Sequence, residues 1–303
     1  MRGMGCACLG LALLAAGCKS SRSYGPVFIE PALLSLVPVD TIMLAGARID
    51  SAQKSQVYTK HLSARKLPML DAFAAQTGID PRRDIWQALA VSNGKHTALL
   101  VRGRFSEMGM EPRINIEGAE RIPYKGGMII GRSEGAVTFV NPTTAIAGRA
   151  DAIMYIIDQR DKAALSPPLA AALRTVPGNS QFWMVALGGQ DSAALGIPQE
   201  GNLANLAKIY SSLQFVMLSA ELSSGISVHG KGTAGGEEDA KRLATALKGM
   251  IGLGRLNTLD NRPDLLRIFD AIVVEQRQSD VTVDALFPEE LVDKLIAMLP
   301  ADR

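Results

Sequence analysis

Three serines stand in sequence patterns that can support nucleophilic catalysis. Ser133 is the central residue of a G-x-S-x-G pattern at residues 131–135, and Ser51 and Ser63 each begin an S-x-x-K pattern. The first pattern works where a sharp strand-to-helix turn presents the serine beside backbone N–H groups that stabilise an oxyanion. The second places a lysine one helical turn from the serine. The chemistry that these patterns would serve is that of a serine hydrolase.

The residues around these serines argue against catalysis. Residues 136–140, which follow Ser133, are β-prone, so the pattern predicts a hairpin turn and not a strand-to-helix turn. The histidine that a hydrolase requires could only be His229, whose neighbours in sequence offer no orienting acid. The S-x-x-K pattern, typical of penicillin-binding proteins and β-lactamases, occurs here without an S-D-N or K-T-G partner. We therefore predict no catalytic residue and interpret both S-x-x-K segments as polar helix surface.

The sequence also predicts no metal site and no cofactor. His61, His96 and His229 are scattered and lack the spacing of an H-E-x-x-H zinc site, and we expect His96 and His229 to face solvent. Phosphate-loop, dinucleotide-binding and EF-hand patterns are missing from the sequence. Aromatic residues make up 5% of the chain, too few for a platform that stacks sugars or single-stranded nucleic acid.

The first 18 residues have the pattern of an export signal. Arg2 precedes an apolar run, and the small residues 15–17 stand directly before Cys18. The run is shorter than the ~20 residues that a membrane-spanning helix needs, and it fits the core of a signal peptide. The segment 14–18 resembles the lipobox of bacterial lipoproteins. In that family the cysteine is thioether-linked to diacylglycerol, the leader is cleaved before it, and the new amino terminus is acylated.

The resemblance implies a cleaved signal peptide at residues 1–17 and a lipidation site at Cys18. It also implies a protein that a lipid anchor holds to a membrane in the bacterial cell envelope, with its body in the periplasm. Each buried methylene of an acyl chain contributes ~0.8 kcal/mol, so several chains hold the protein firmly. The sequence leaves open whether the membrane is the inner or the outer one. The alternative is a soluble secreted protein in which Cys18 is unmodified.

Charge and cysteine content limit the partners of the mature chain. Removal of residues 1–17 takes away Arg2 and no acid, so 32 basic side chains become 31 against 30 acidic ones. Nucleic acid is therefore not expected as a partner. The three cysteines all lie within the first 18 residues, so the body has no disulfide. With 47% apolar residues it can bury a core without one.

The hydrophobic periods predict an α+β fold. We expect two similar halves, at residues 36–166 and 167–303, each an antiparallel sheet with helices on one face, and therefore a possible internal duplication. Residues 18–35 are predicted to be the lipidated cysteine and a tether. Strands are predicted at residues 40–50, 85–92, 96–105, 120–124, 128–132, 136–140, 145–148, 181–187, 215–222, 226–233, 271–276 and 280–286. Helices are predicted at residues 68–76, 151–160, 202–213, 237–251 and 263–269, after Ser106, and from Pro288.

Two turns have specific sequence signals. Asn93-Gly94 predicts a two-residue hairpin, because both residues tolerate a positive φ. Residues 77–84, T-G-I-D-P-R-R-D, predict a helix that ends at Gly78 and a short turn capped by Asp80. This phrase resembles a helix-turn of exported bacterial proteins of unknown function that are built from repeated α+β halves, and it implies no activity.

The function that these patterns favour is a non-catalytic binding or assembly role at the cell envelope. The partner, which could be another envelope protein, and any small ligand are unknown from the sequence. Two alternatives stay open: an envelope serine hydrolase that uses Ser133, Ser51 or Ser63, and a periplasmic binder of a small apolar ligand between the two halves.

Overall fold

A computed structural model describes residues 26–63, 68–105, 118–189, 212–258 and 263–298. Cys18, the leader, most of the predicted 202–213 helix and the helix predicted after Ser106 lie outside these ranges. The described strands are β1 (Met43–Arg48), β2 (Ile85–Ser92), β3 (Thr97–Gly103), β4 (Glu120–Tyr124), β5 (Gly127–Arg132), β6 (Gly135–Asn141), β7 (Thr144–Gly148), β8 (Phe182–Leu187), β9 (Leu213–Leu222), β10 (Gly225–Ala234), β11 (Ile272–Arg277) and β12 (Asp280–Pro288).

The helices alternate with these strands along the chain. They are α1 (Pro31–Leu34), α2 (Ile49–Gln53), a π-helix (Tyr58–Leu62), α3 (Pro68–Thr77), α4 (Pro81–Asp84), α5 (Ala150–Gln159), a 3-10 turn (Arg160–Lys162), α6 (Pro167–Leu173), α7 (Glu237–Leu256), α8 (Pro263–Asp270) and α9 (Glu289–Met298). The predicted α+β fold is confirmed. The sequence analysis did not predict α1, the π-helix or α6, which are too short to show a helical period, and it anticipated α2 only as the helix surface of its S-x-x-K segment.

The strands form a single antiparallel sheet in the order β11-β12-β10-β9-β8-β1-β2-β3-β7-β6-β5-β4. The sheets predicted for the two halves meet where β1 pairs with β8, with Gly46 opposite Trp183. Outward from this junction, the strands of the first half are in the order β1-β2-β3-β7-β6 and those of the second half in the order β8-β9-β10-β12-β11. The two orders have the same pattern of connections, and the first half has β5 and β4 in addition at its edge. The internal duplication itself stays a prediction.

One face of the sheet, face 1, carries the largest hydrophobic core. Because side chains alternate along a strand, Leu44, Leu89 and Val185 share this face, and each of them is fully buried. Leu33 of α1, Ile153 and Ile156 of α5, and Leu169 and Ala172 of α6 belong to the same cluster. Helices α1, α5 and α6 therefore cover face 1 around the junction.

The opposite face, face 2, carries two smaller clusters that are separated by the junction. Over the second half, Ala240, Leu243 and Ala244 of α7 pack with residues of β9 to β12 such as Val216 and Val274. Over the first half, Ile79 and Phe105 pack on Val101 and Ala145, with Val137 and Phe139 alongside. The prediction that helices lie on one face is incomplete, because the apolar stripe of α7 meets the sheet on the face opposite to α5 and α6.

The chain from Pro26 to Ser35 is part of the folded body. Val27, Ile29 and Leu33 are buried in the main core. The Glu30 carboxylate accepts hydrogen bonds from Trp86 Nε1 at 2.7 Å and from Arg102 Nε at 2.6 Å. The prediction of a tether over residues 18–35 is corrected for this described part. The apolar residues Val27, Ile29 and Leu33 are stabilised by burial in the core, and the carboxylate of Glu30 is satisfied by its two hydrogen-bond donors on the sheet. This segment is therefore more stable packed on the sheet than extended in solvent.

The β2–β3 hairpin has a longer turn than the sequence predicted. Ser92 pairs with Thr97, so four residues and not two form the turn. Asn93 Oδ1 accepts the backbone N–H groups of Lys95 and His96, and Gly94 has a φ of +88°. The Asn93 N–H still donates to the His96 carbonyl at 3.2 Å, while the asparagine side chain accepts the His96 N–H that would bond to the backbone in a tight turn.

The turn at residues 77–84 is built as the sequence predicted. Gly78 ends α3 with a φ of +72°, and Asp80 caps α4 by accepting the N–H of Arg82. Asp84 is buried, accepts the N–H of Asp80 at 2.9 Å, and forms ion pairs with Arg83 and Arg104. Its hydrogen bond from Arg83, above all, lowers the pKa of Asp84 from 3.8 to about 2.

The close packing of Gly46 on Trp183 predicts a specific destabilisation. A Cβ at position 46 would lie 2.3 Å from the indole ring, so Gly46→Ala forces the ring or the strand to move. We expect the free energy of unfolding in urea to fall by about 1–3 kcal/mol. The control is Gly249→Ala in α7, where a Cβ meets nothing within 4 Å and alanine favours the helix. Equal stabilities of the two variants would contradict this packing.

The depressed pKa of Asp84 predicts a loss of stability in acid. The unfolded state binds the proton more readily than the folded state, so the contribution of Asp84 is complete above about pH 4 and disappears as the pH falls toward about 2. This contribution amounts to roughly 2 kcal/mol, so we expect Asp84→Asn to flatten the pH profile of urea unfolding by that amount. Asp161→Asn, at a 92% exposed side chain, should leave the profile unchanged.

Candidate functional site

An apolar groove lies on face 2 of the sheet, across the junction of the two halves. It measures about 440 Å³ and is lined from β1, β2, β3, β8, β9 and β10. Its lining residues are Ala45, Gly46, Ala47, Ala88, Leu99, Phe182, Trp183, Met184, Leu218, Ser219, Ala220 and Val228. Three strands from each half thus contribute to one concave surface.

Small residues make the floor of this groove and large residues make its sides. Ala47 stands opposite Ala88 in β2 and opposite Phe182 in β8, and Met184 stands opposite Leu218. The alanines leave space that the larger side chains enclose. Leu99, Phe182 and Leu218 are 40–45% exposed, which is unusual for large apolar side chains at the centre of a sheet.

In the part of the chain that the structure describes, the groove is the uncovered middle of face 2. The α7 cluster occupies this face over β9 to β12, and the Ile79 cluster occupies it over β3, β7 and β6. Between them, no helix among the described residues appears in a buried cluster with Ala45, Ala88 or Met184. Contiguous exposed apolar surface of this kind marks binding sites in soluble proteins, and its volume is in the usual range for small-molecule pockets.

Sequence reasoning missed the groove residues, although a signal was present. Two alanines flank one residue near the middle of each strand: Ala45 and Ala47 flank Gly46 in β1, and Ala88 and Ala90 flank the buried Leu89 in β2. A strand that alternates large buried residues with alanine predicts one packed face and one face without bulky side chains. What the sequence could not predict is that these alanines lie side by side with Met184 and Leu218 from the other half.

Ser133 lies in a hairpin turn and not in a nucleophile elbow, as predicted. Its turn joins β5 to β6, and its side chain is exposed. His229, the histidine named for it, lies in β10, with seven strands between β5 and β10. At ~4.8 Å per strand the separation along the sheet is roughly 38 Å. Ser133 and His229 are therefore not a catalytic pair.

The two S-x-x-K serines occupy different surroundings. Ser63 follows the π-helix, is exposed, and donates its hydroxyl to the Thr59 carbonyl at 2.7 Å, while its Lys66 lies outside the described residues. Ser51 lies in α2, which begins where β1 ends, and it lines a polar pocket together with Lys54. The interpretation as helix surface is confirmed for Ser51, which also lines a concave site. Ser63 lies at the end of the π-helix, and the rest of its segment lies outside the described residues.

The expectation that His229 has no orienting acid is wrong. Its Nδ1 lies 2.6 Å from Asp284 Oδ1 on the neighbouring strand β12, a contact between residues far apart in sequence. On the other side, Ser219 of β9 is paired with His229, but its hydroxyl donates to the His229 backbone carbonyl at 3.3 Å and not to the ring. The geometry resembles a cross-strand Asp–His–Ser row, with the serine proton directed away from the base.

The other two histidines also have partners that the sequence did not reveal. His96, expected to face solvent, stacks on Tyr155 with ring centroids 4.6 Å apart. Burial and a hydrogen bond to Asp40 raise the pKa of Tyr155. His61 Nε2 lies 2.7 Å from Asp293 Oδ1 of α9. In the part of the chain that the structure describes, no three histidine, cysteine, aspartate or glutamate side chains gather as metal ligands would.

Comparisons with known proteins identify no family for this chain. No protein-family profile matches the chain, and no curated protein matches its sequence. Three solved structures of a protein designated TP0453 are similar to it. Crystal form III has a TM-score of 0.49 at 10% identity over 89% of this chain and 99% of that one. Form I has 0.44 at 12% over 89% and 98%, and form IV has 0.46 at 8% over 87% and 96%.

A further finding concerns the membrane. None of the helices within the described ranges is long and apolar enough to span a bilayer.

Proposed function

We propose that this protein is a lipid-anchored protein of the bacterial cell envelope that acts by binding and not by catalysis. The groove on face 2 is its binding site and takes the hydrocarbon part of a ligand. The observation that carries the proposal is the position of the groove, which leaves Leu99, Phe182 and Leu218 exposed at the centre of the sheet between two packed clusters.

The physical reason is the free energy of the exposed apolar surface. Each square ångström of apolar surface that a ligand removes from water contributes roughly 25 cal/mol. The groove offers no charged side chain among its lining residues, so it has no means to select a polar or ionic ligand. A hydrocarbon chain fits such a groove, since it is stabilised by burial alone and needs no hydrogen bond from the lining residues.

The anchor is supported by the sequence of residues 14–18, which resembles a lipobox. A protein held beside a bilayer meets hydrocarbon ligands at high local concentration, which suits a groove of this kind.

The proposal that the protein is not a catalyst rests on the geometry of the candidate serines. Ser133 and Ser63 lie in exposed turns without a histidine partner, and Ser219 directs its proton to a carbonyl.

Filling the groove should weaken ligand binding. Ala88→Leu adds three carbons to the floor and excludes at least two methylene groups of a bound chain, each worth about 0.8 kcal/mol. We expect the affinity for 1-dodecanol to fall at least about tenfold. Displacement of a fluorescent alkyl probe from the purified body measures it.

The matched control is Ala246→Leu, at a half-buried alanine of α7 that does not line the groove. It should bind dodecanol as the unsubstituted protein does. Equal affinities for Ala88→Leu and Ala246→Leu would contradict the groove as the binding site. Specific labelling of one serine by a fluorophosphonate in the folded protein would contradict the non-catalytic role and favour the hydrolase.

Lipidation of Cys18 can be tested on material from a bacterial host. We expect an intact mass that corresponds to a chain beginning at Cys18 and carrying acyl groups, and partition into the detergent phase. Cys18→Ser should move the protein to the aqueous phase, while Cys8→Ser, in the leader, should not. A mass that shows an unmodified thiol at Cys18, or a leader still attached, would contradict the anchor.

A further inference from the structure

A polar pocket of about 450 Å³ lies at one end of the groove. It is formed between α2 with the residues that follow it and the turn that joins β9 to β10. Its polar lining includes Ser51, Lys54, Ser55, Gln181, Ser223 and Ser224. The pocket therefore brings one ammonium group together with several hydroxyl groups.

The polar pocket and the apolar groove are neighbours along the same strands. Phe182 lines the groove, and Gln181, the preceding residue, lines the pocket. On β9, Leu222 of the pocket has the same side-chain orientation as Ala220 and Leu218 of the groove, since these residues alternate along one strand. The two concavities are therefore adjacent along β8 and β9.

The position of α2 is fixed by the end of strand β1. The backbone N–H of Arg48 donates to the Gln181 carbonyl at 2.7 Å, and α2 begins at the next residue. Gln181 Oε1 in turn accepts the N–H of Leu222 at 2.7 Å. These bonds hold α2 and the β9–β10 turn on opposite sides of the pocket.

Lys54 is the charged group of this pocket. Its side chain is exposed, and it forms no ion pair with any acidic residue that the structure describes. Several other lysines have acidic partners: Lys60 contacts Glu289 and Asp293, and Lys125 contacts Asp158. Within the described ranges, the hydroxyls of Ser51, Ser223 and Ser224 also form no side-chain hydrogen bond, so they can donate to a ligand.

We propose that Lys54 and the surrounding hydroxyls bind the anionic head of an amphiphile whose single hydrocarbon chain lies in the groove. A phosphate or carboxylate accepts hydrogen bonds from hydroxyl donors and gains a charge-assisted bond from an ammonium group. The inference rests on the proposed function, because it assigns the groove to the chain. It also gives the S-x-x-K pattern at residues 51–54 a binding role in place of a catalytic one.

The test compares three probes that separate head from chain: dodecyl phosphate, 1-dodecanol and inorganic phosphate. We expect dodecyl phosphate to bind about two- to fivefold more tightly than dodecanol, which corresponds to the upper range for an exposed ion pair. Lys54→Gln should remove this difference and leave dodecanol binding unchanged. Lys95→Gln, at an exposed lysine of the β2–β3 turn, is the matched control and should keep the difference.

Salt gives a second measurement on the unsubstituted protein. Raising the ionic strength from about 0.05 to 0.5 M shortens the screening length several-fold, so it should weaken the binding of dodecyl phosphate and not that of dodecanol. Inorganic phosphate alone should not displace dodecyl phosphate at millimolar concentration, because most of the binding free energy comes from the chain.

The outcomes distinguish this inference from the proposed function. If neither dodecanol nor dodecyl phosphate binds, the groove is not a hydrocarbon site and both proposals fail. If both bind equally, and Lys54→Gln changes neither, only the anionic head is overturned. If inorganic phosphate competes as strongly as dodecyl phosphate, the pocket is an anion site independent of the groove, which also overturns the inference.

Discussion

The pairing of β1 with β8 is the contact on which the rest of the structure depends. It joins two antiparallel sheets edge to edge, and it places Gly46 directly opposite Trp183. The indole ring occupies the space where a side chain at position 46 would lie, so face 1 is closed at the junction. Without this pairing each half would expose a strand edge with free N–H and C=O groups, which invites aggregation.

The same junction determines where the groove lies. Among the described helices, α5 of the first half and α6 of the second half cover face 1 at the junction, and α7 covers face 2 over β9 to β12. Where the covering changes from one face to the other, the middle of face 2 stays open, and Ala45, Ala47 and Ala88 leave it concave. The groove is therefore a consequence of how the halves are joined and not a property of either half.

The exposed apolar groove and the proposed lipid anchor are consistent with each other, because a protein held beside a membrane meets hydrocarbon ligands. The hydrocarbon would meet Leu99, Phe182 and Leu218, and a polar head would meet Lys54 at the end of β1 and β8. In this arrangement the backbone bonds between Arg48, Gln181 and Leu222 matter as much as the lining side chains, because they hold the polar pocket against the groove.

The sequence by itself determined the local elements: the alternation that marks each strand, the amphipathic α7, the cap at Asp80 and the left-handed turn at Gly78. These depend on neighbours within about ten residues, which the chain order displays. The pairing of Asp284 with His229, the burial of residues 26–35 and the groove were decided only by the tertiary structure. They join residues that lie far apart in the chain, and strand order cannot be calculated from local periodicity.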